Sequence, residues 1–127
     1  MATLNTTQPL GPSITTTDAT VTTLADFQTR PGRAYLVEAK VIAVDVPLAQ
    51  AASYILAGTF LTTAAGVLTQ VGATTSIHST ETDSAWACIL EASGTTIRLR
   101  ATGEAAKEIN WRANVDIVKA GVGPQAS

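Results

Sequence analysis

His78, the sole histidine, and Cys88, the sole cysteine, are the side chains with the most chemistry to offer. An imidazole beside a serine and an acid activates a nucleophile, and Ser and Asp are common in this chain. Nothing around His78 resembles a nucleophile elbow. It lies in ATTSIHS, among Thr and Ser, and reads as an exposed residue of a weak strand. Cys88 alternates with Trp86 and Leu90 in AWACILEA, which makes it a small core hydrophobe rather than a reactive thiol. One cysteine permits no internal disulfide, and one Cys with one His makes no zinc set.

The acids are the next candidates. Glu81 and Asp83 share a short turn and could help hold calcium, but that turn lacks the dense Asp/Asn and Gly spacing of a calcium loop. Glu38, Asp45, Glu91, Glu104, Glu108 and Asp116 are scattered, and a glycosidase needs two carboxyl groups facing across a cleft. Gly94 and Gly103 read as turn glycines, because no helix start follows them at phosphate-loop spacing. Asn5-Thr6-Thr7 fits a glycosylation sequon, but the N-terminal residues show no secretion signal, so the match is read as chance. Arg98, Arg100 and Arg112 are expected to share a polar face, with Glu108 and Asp116 nearby. That face is either a solvated ion-pair lattice or an intersubunit contact. Catalytic, cofactor and metal residues are therefore expected to be none.

The elements that would carry these residues are strands. In Arg33 to Asp45, Tyr35, Val37, Ala39, Val41 and Ala43 fall on one face, and Pro47 ends the run. PLAQAAS, residues 47–53, is a loop with at most one helical turn. In Ser53 to Thr63, Tyr54, Leu56, Gly58 and Phe60 share a face. Val67 to Val71 returns antiparallel, and Ala73 to Ser79 is a weaker strand. Ala85 to Ala92 is a core strand anchored by Trp86, and Ser93-Gly94 is a two-residue hairpin loop. Thr95 to Lys119 then reads as two alternating strands joined by a polar turn. Ile97, Leu99 and Ala101 line the first, and Trp111, Ala113, Val115 and Ile117 line the second. The predicted arrangement is a meander of 85–92, 95–101 and 110–119, with Trp86 and Trp111 as core anchors. About seven or eight strands at even spacing predict an all-β, antiparallel β-sandwich of jelly-roll type.

The two ends differ from this body. Residues 1–30 are expected to form an extended N-terminal arm and a first short strand, residues 31–120 the sandwich, and residues 121–127 a flexible tail. No charge occurs before Asp18, and Leu4, Leu10 and Ile14 are widely spaced among Thr, with Pro9 and Pro12 favouring extended structure. Leu4, Leu10, Pro12 and Ile14 are the residues such an arm would use to bind a partner by strand addition.

Composition narrows the function classes. Hydrophobic residues make up 46% of the 127 residues and charged residues only 14%, with Thr, Ser and Ala in the place of charge. That suits a β protein whose surface is covered by partners, so a monomer is not expected. The net charge of −2, with no basic run, excludes ordinary nucleic-acid binding. No apolar run approaches the ~20 residues of a membrane span.

From Ser53 to Lys119 the chain resembles a β-sandwich segment common in structural proteins of tailed bacteriophages. The resemblance is carried by Tyr54 ahead of Gly58-Thr59-Phe60 and by Trp86 in DSAWACILEA. It is carried further by Leu99-Arg100-Ala101-Thr102-Gly103 followed by Asn110-Trp111-Arg112-Ala113. In size and layout the chain also resembles capsid decoration (cement) proteins. That resemblance implies a non-enzymatic homotrimer on the capsid surface, made in the bacterial cytoplasm, whose partners are itself and the major capsid protein. The rival is a tail-fibre, head-fibre or baseplate module that binds a host-surface glycan. It predicts exposed aromatics around a groove, and with both Trp in the core only Tyr35 and Tyr54 remain for that role. A small β-fold lyase or hydrolase is the third reading, and it lacks a catalytic set.

Overall fold

Apolar residues at every second position give a strand one face to bury, a pattern clearest in Arg33–Asp45, Ala51–Thr62 and Thr96–Thr102. The computed structural model describes residues 11–122. The strands are β1 Ser13–Thr16, β2 Val21–Gln28, β3 Arg33–Asp45, β4 Ala51–Thr62, β5 Leu68–Glu81, β6 Ala87–Ser93, β7 Thr96–Thr102 and β8 Ile109–Gly121. They build a five-stranded sheet in the order β1-β8-β3-β4-β5 and a three-stranded sheet in the order β2-β7-β6. Every pairing is antiparallel. The expected all-β sandwich is the observed fold.

β3 is the spine of the larger sheet. It pairs with β4 from Arg33↔Thr62 to Val44↔Ala51 and with β8 from Arg33↔Gly121 to Asp45↔Ile109. Its Tyr35, Val37, Ala39, Val41 and Ala43 are buried, as their alternation predicts. The smaller sheet meets them with Leu24, Leu90, Ile97, Leu99 and Ala101. Trp111 sits opposite Ala43 in register, so a large side chain lies beside a small one. Trp86 and Trp111 are each 1% exposed. Full burial of a large apolar side chain contributes roughly 1.5–3 kcal/mol, so both act as the core anchors expected.

The predicted hairpin from Thr95 to Lys119 does not form. β7 belongs to the smaller sheet, whereas β8 lies in the larger one, between β1 and β3. Their apolar sides oppose each other across the core, and residues 103–108 carry the chain from one sheet to the other, with Glu104 and Lys107 forming an isolated bridge. The meander therefore ends after β6 and β7. Alternation was the same for both strands, and it does not state whether a partner lies beside a strand or across from it.

Smaller differences follow from local chemistry. The two strands expected between Val67 and Ser79 are one strand, β5, with a register shift opposite Gly58 that Gly72 accommodates at φ 77°. The β6–β7 turn is centred on Gly94, at φ 60°, and Thr95, one residue later than predicted. No helical turn forms in residues 46–50. The buried Asp45 carboxylate accepts the N–H groups of Ala49 (2.8 Å) and Gln50 (3.0 Å), and Leu48 takes a positive φ. Residues 13–28, expected in the arm and first short strand, form β1 and β2 of the body. Gly121 closes β8 rather than opening a tail, and residues 123–127 lie outside the described residues.

Candidate interaction surfaces

The structure disperses the reactive residues. His78 lies on β5, at the edge of the larger sheet, where its Nε2 is 2.9 Å from Ser53 Oγ on the open outer face. Among the described residues no carboxylate bonds the other ring nitrogen, so the pair lacks the third member that orients a triad. Glu81 accepts the Tyr54 hydroxyl at 2.6 Å, and burial, followed by this bond, raises the Tyr54 pKa. Asp83 accepts the Ala85 N–H at 2.9 Å; this bond, then a hydrogen bond with Glu104, holds its carboxyl below the usual range. Among the described residues no three His, Cys, Asp or Glu gather as a metal set. Burial pushes the Cys88 thiol up to about 12, so it stays protonated beside the core.

The aromatic residues turn inward. Tyr35, Tyr54, Phe60, Trp86 and Trp111 are buried, and Phe27 is half-buried against Tyr35 at 5.9 Å between ring centroids. Tyr35 donates no free platform either, since its hydroxyl accepts the Arg30 N–H at 2.8 Å. The two tyrosines left over for a glycan groove are thus packed into the sandwich.

The three arginines do not share one face. Arg98 and Arg100, on β7, both reach Glu91 Oε1 on β6, at 3.0 and 3.4 Å. Arg100 also donates to the Val21 carbonyl at 3.1 Å. This is an ion-pair lattice on the smaller sheet. Arg112 projects from β8 on the outer face of the larger sheet, in register with Ile42 and Ser13. The separation follows from the sheet assignment of β7 and β8. Of the expected arm residues, Leu4 and Leu10 lie outside the described residues. Pro12 and Ile14 are engaged with their own chain: Ala113 N–H donates to the Pro12 carbonyl at 3.0 Å, and Ile14 pairs with Trp111.

Two surfaces outside the candidate site residues stand out. The first is an open groove of about 660 Å³ between the sheets, lined by Phe27, Leu90, Ile97, Val115 and Ile117, with Asp26 also lining it. It opens where β1 stops, because β1 covers β8 only from Ile109 to Arg112. The second is the outer face of the larger sheet. With the odd residues of β3 buried, the even ones point outward, and Leu36 and Ile42 are 49% and 53% exposed. Between them lie Glu38, directly opposite Asp116, and Lys40, opposite Asn114. The signal was present in β3, whose outer side reads apolar at both ends and charged in the middle.

No protein-family model matches the chain, and no curated protein matches it in sequence. Among solved structures, the tailspike protein of Acinetobacter baumannii phage AM24 is similar, with a TM-score of 0.52 at 10% identity. The match covers 89% of this chain and 26% of the tailspike chain. At that identity the likeness is one of fold. The chain spans about a quarter of the tailspike's length.

Proposed function

We propose that this chain is a non-enzymatic structural component of a tailed-phage virion, held in place by broad sheet surfaces. The observation that carries this reading is the sandwich shared with the AM24 tailspike over 89% of the chain. The virion-type residues around Leu99–Gly103 and Asn110–Ala113 support it independently. Within the virion, the tailspike likeness favours a module of the tail. Its role there is assembly, because the aromatic side chains that would stack on a sugar are packed inward.

A second reading, capsid decoration, is favoured by the uncharged N-terminal segment with Leu4 and Leu10, which leads into the body at the surface-exposed Pro12. A decoration protein spanning several shell subunits adds many weak contacts that must break together.

Immunogold labelling of purified virions with antibody to this chain tests both. Label on the tail supports the tail module, and label on the head supports decoration. Virions that carry neither label nor the chain by mass spectrometry would overturn the structural role itself.

A further inference from the structure

The outer face of the larger sheet holds charges that the chain does not neutralise. Glu38 and Asp116 are direct cross-strand neighbours of like sign, an arrangement that is destabilising when left alone. Among the described residues, Glu38, Lys40, Arg112 and Asp116 form no ion pair, whereas Arg98, Arg100 and Lys107 do. Leu36 and Val118 form an exposed apolar pair on one side of the acids, and Ile42 lies on the other. A shallow depression of about 370 Å³, lined by Lys40, Ile42, Ile55 and Arg112, lies beside Ile42.

These residues are arranged symmetrically about Ala39. Successive outward residues of a strand are about 6.6–6.8 Å apart, so Glu38 and Lys40 lie equally far from Ala39 in opposite directions. Leu36 and Ile42 do the same. A two-fold axis lying in this face, perpendicular to β3 and passing over Ala39, superposes Glu38 on Lys40 of a second copy. The same operation places Leu36 over Ile42 and its depression, and Asp116 over Asn114. No like charges meet.

We propose that this face is a self-complementary interface that takes a second copy of the chain, sheet against sheet, with Glu38 of each copy paired to Lys40 of the other. A two-fold interface uses the same patch on both subunits, which is the property this face has. The available area is sufficient: four strands run about 40–46 Å and β1 only about 13 Å, so at about 4.8 Å per strand the sheet presents roughly 900 Å², against about 800 Å² per partner in a standard interface. The charges supply register, and Leu36 against Ile42 at each end supplies the apolar contact. The pairing is independent of where the chain sits in a virion. It closes with two copies, whereas the resemblance to decoration proteins implies three.

Charge reversal tests this directly. Glu38→Lys and Lys40→Glu each place like charges across the axis, and each should weaken self-association about tenfold or more in sedimentation velocity at micromolar concentration. Mixing the two variants in equal amounts should restore the dimer, because both cross-axis pairs are then opposite in sign. The double variant Glu38→Lys/Lys40→Glu should also dimerise, which separates a lost contact from a lost fold. The proposal is overturned by a wild-type monomer or trimer, by single reversals that leave the dimer intact, or by a mixture that stays monomeric.

Discussion

Trp86 and Trp111 meet inside the sandwich with ring centroids 6.1 Å apart and planes tilted by 54°. Trp111 comes from β8 of the larger sheet, and Trp86 immediately precedes β6 of the smaller one. Tyr54 stacks on the same Trp111 ring at 6.4 Å. Both indole N–H groups are satisfied, Trp111 by Thr16 Oγ1 at 3.0 Å and Trp86 by Glu104 Oε1 at 3.1 Å. The pair thereby ties β1 and the crossover between β7 and β8 to one aromatic cluster.

Removing Trp111 should be the most damaging single truncation. Trp111→Ala deletes the cluster's centre and should cost about 3–5 kcal/mol. Thr16→Val leaves only the buried indole N–H without a partner and should cost about 1–3 kcal/mol. Urea denaturation measures both; a Trp111→Ala loss below that of Thr16→Val would contradict the packing described.

Cys88 sets an alkaline limit. Its folded pKa is raised to about 12, above the ordinary thiol value near 8.5. A raised acid keeps its proton in the folded state while the unfolded chain has lost it, so stability is complete below pH about 8.5 and declines up to about 12. Tyr54, also raised, acts in the same direction above its own ordinary value. The melting temperature should fall over this range, and Cys88→Ala should flatten the first part of the fall. A thiol reagent at pH 8 should label the native protein slowly and the urea-unfolded protein at once; equal rates would contradict the burial.

Gly58 occupies an inward position of β4 because the Phe60 ring lies over it. A Cβ there would stand 2.9 Å from Phe60 Cε2 and 3.2 Å from Leu90 Cδ2. Gly58→Ala should therefore destabilise by about 1–3 kcal/mol through overpacking. Pairing it with Phe60→Leu should recover part of the loss, and additive losses in thermal melts would show that the ring is not the obstacle.

The Glu91 lattice should matter little. Glu91→Gln removes the acceptor shared by Arg98 and Arg100, all three partly exposed to water. The cost should be no more than about 1 kcal/mol and should shrink further in 1 M salt. A large salt-insensitive loss would indicate that Glu91 holds the sheet by other means.

Much of this fold was legible along the chain. The buried faces of β3, β4 and β7, the anchors Trp86 and Trp111, and the core setting of Cys88 all follow from period-two alternation. The surface proposed for self-association was harder to see. The outer face depends on Glu38 lying opposite Asp116 across β3 and β8, residues 78 apart in sequence, and no local pattern states that register.

The sequence alone determined which side of β3, β4, β7 and the first half of β8 is apolar, because steric alternation is a property of the chain itself. Only the tertiary structure decided which sheet each strand joins. Ile97 and Trp111 could bury their apolar sides as neighbours in one sheet or as opposing members of two. Both arrangements satisfy the same alternation. The choice came from filling the space between the sheets, where β8 pairs with β3 on one edge and β1 on the other while β7 closes the core from above. That choice separated Arg112 from Arg98 and Arg100, and it placed Asp116 beside Glu38.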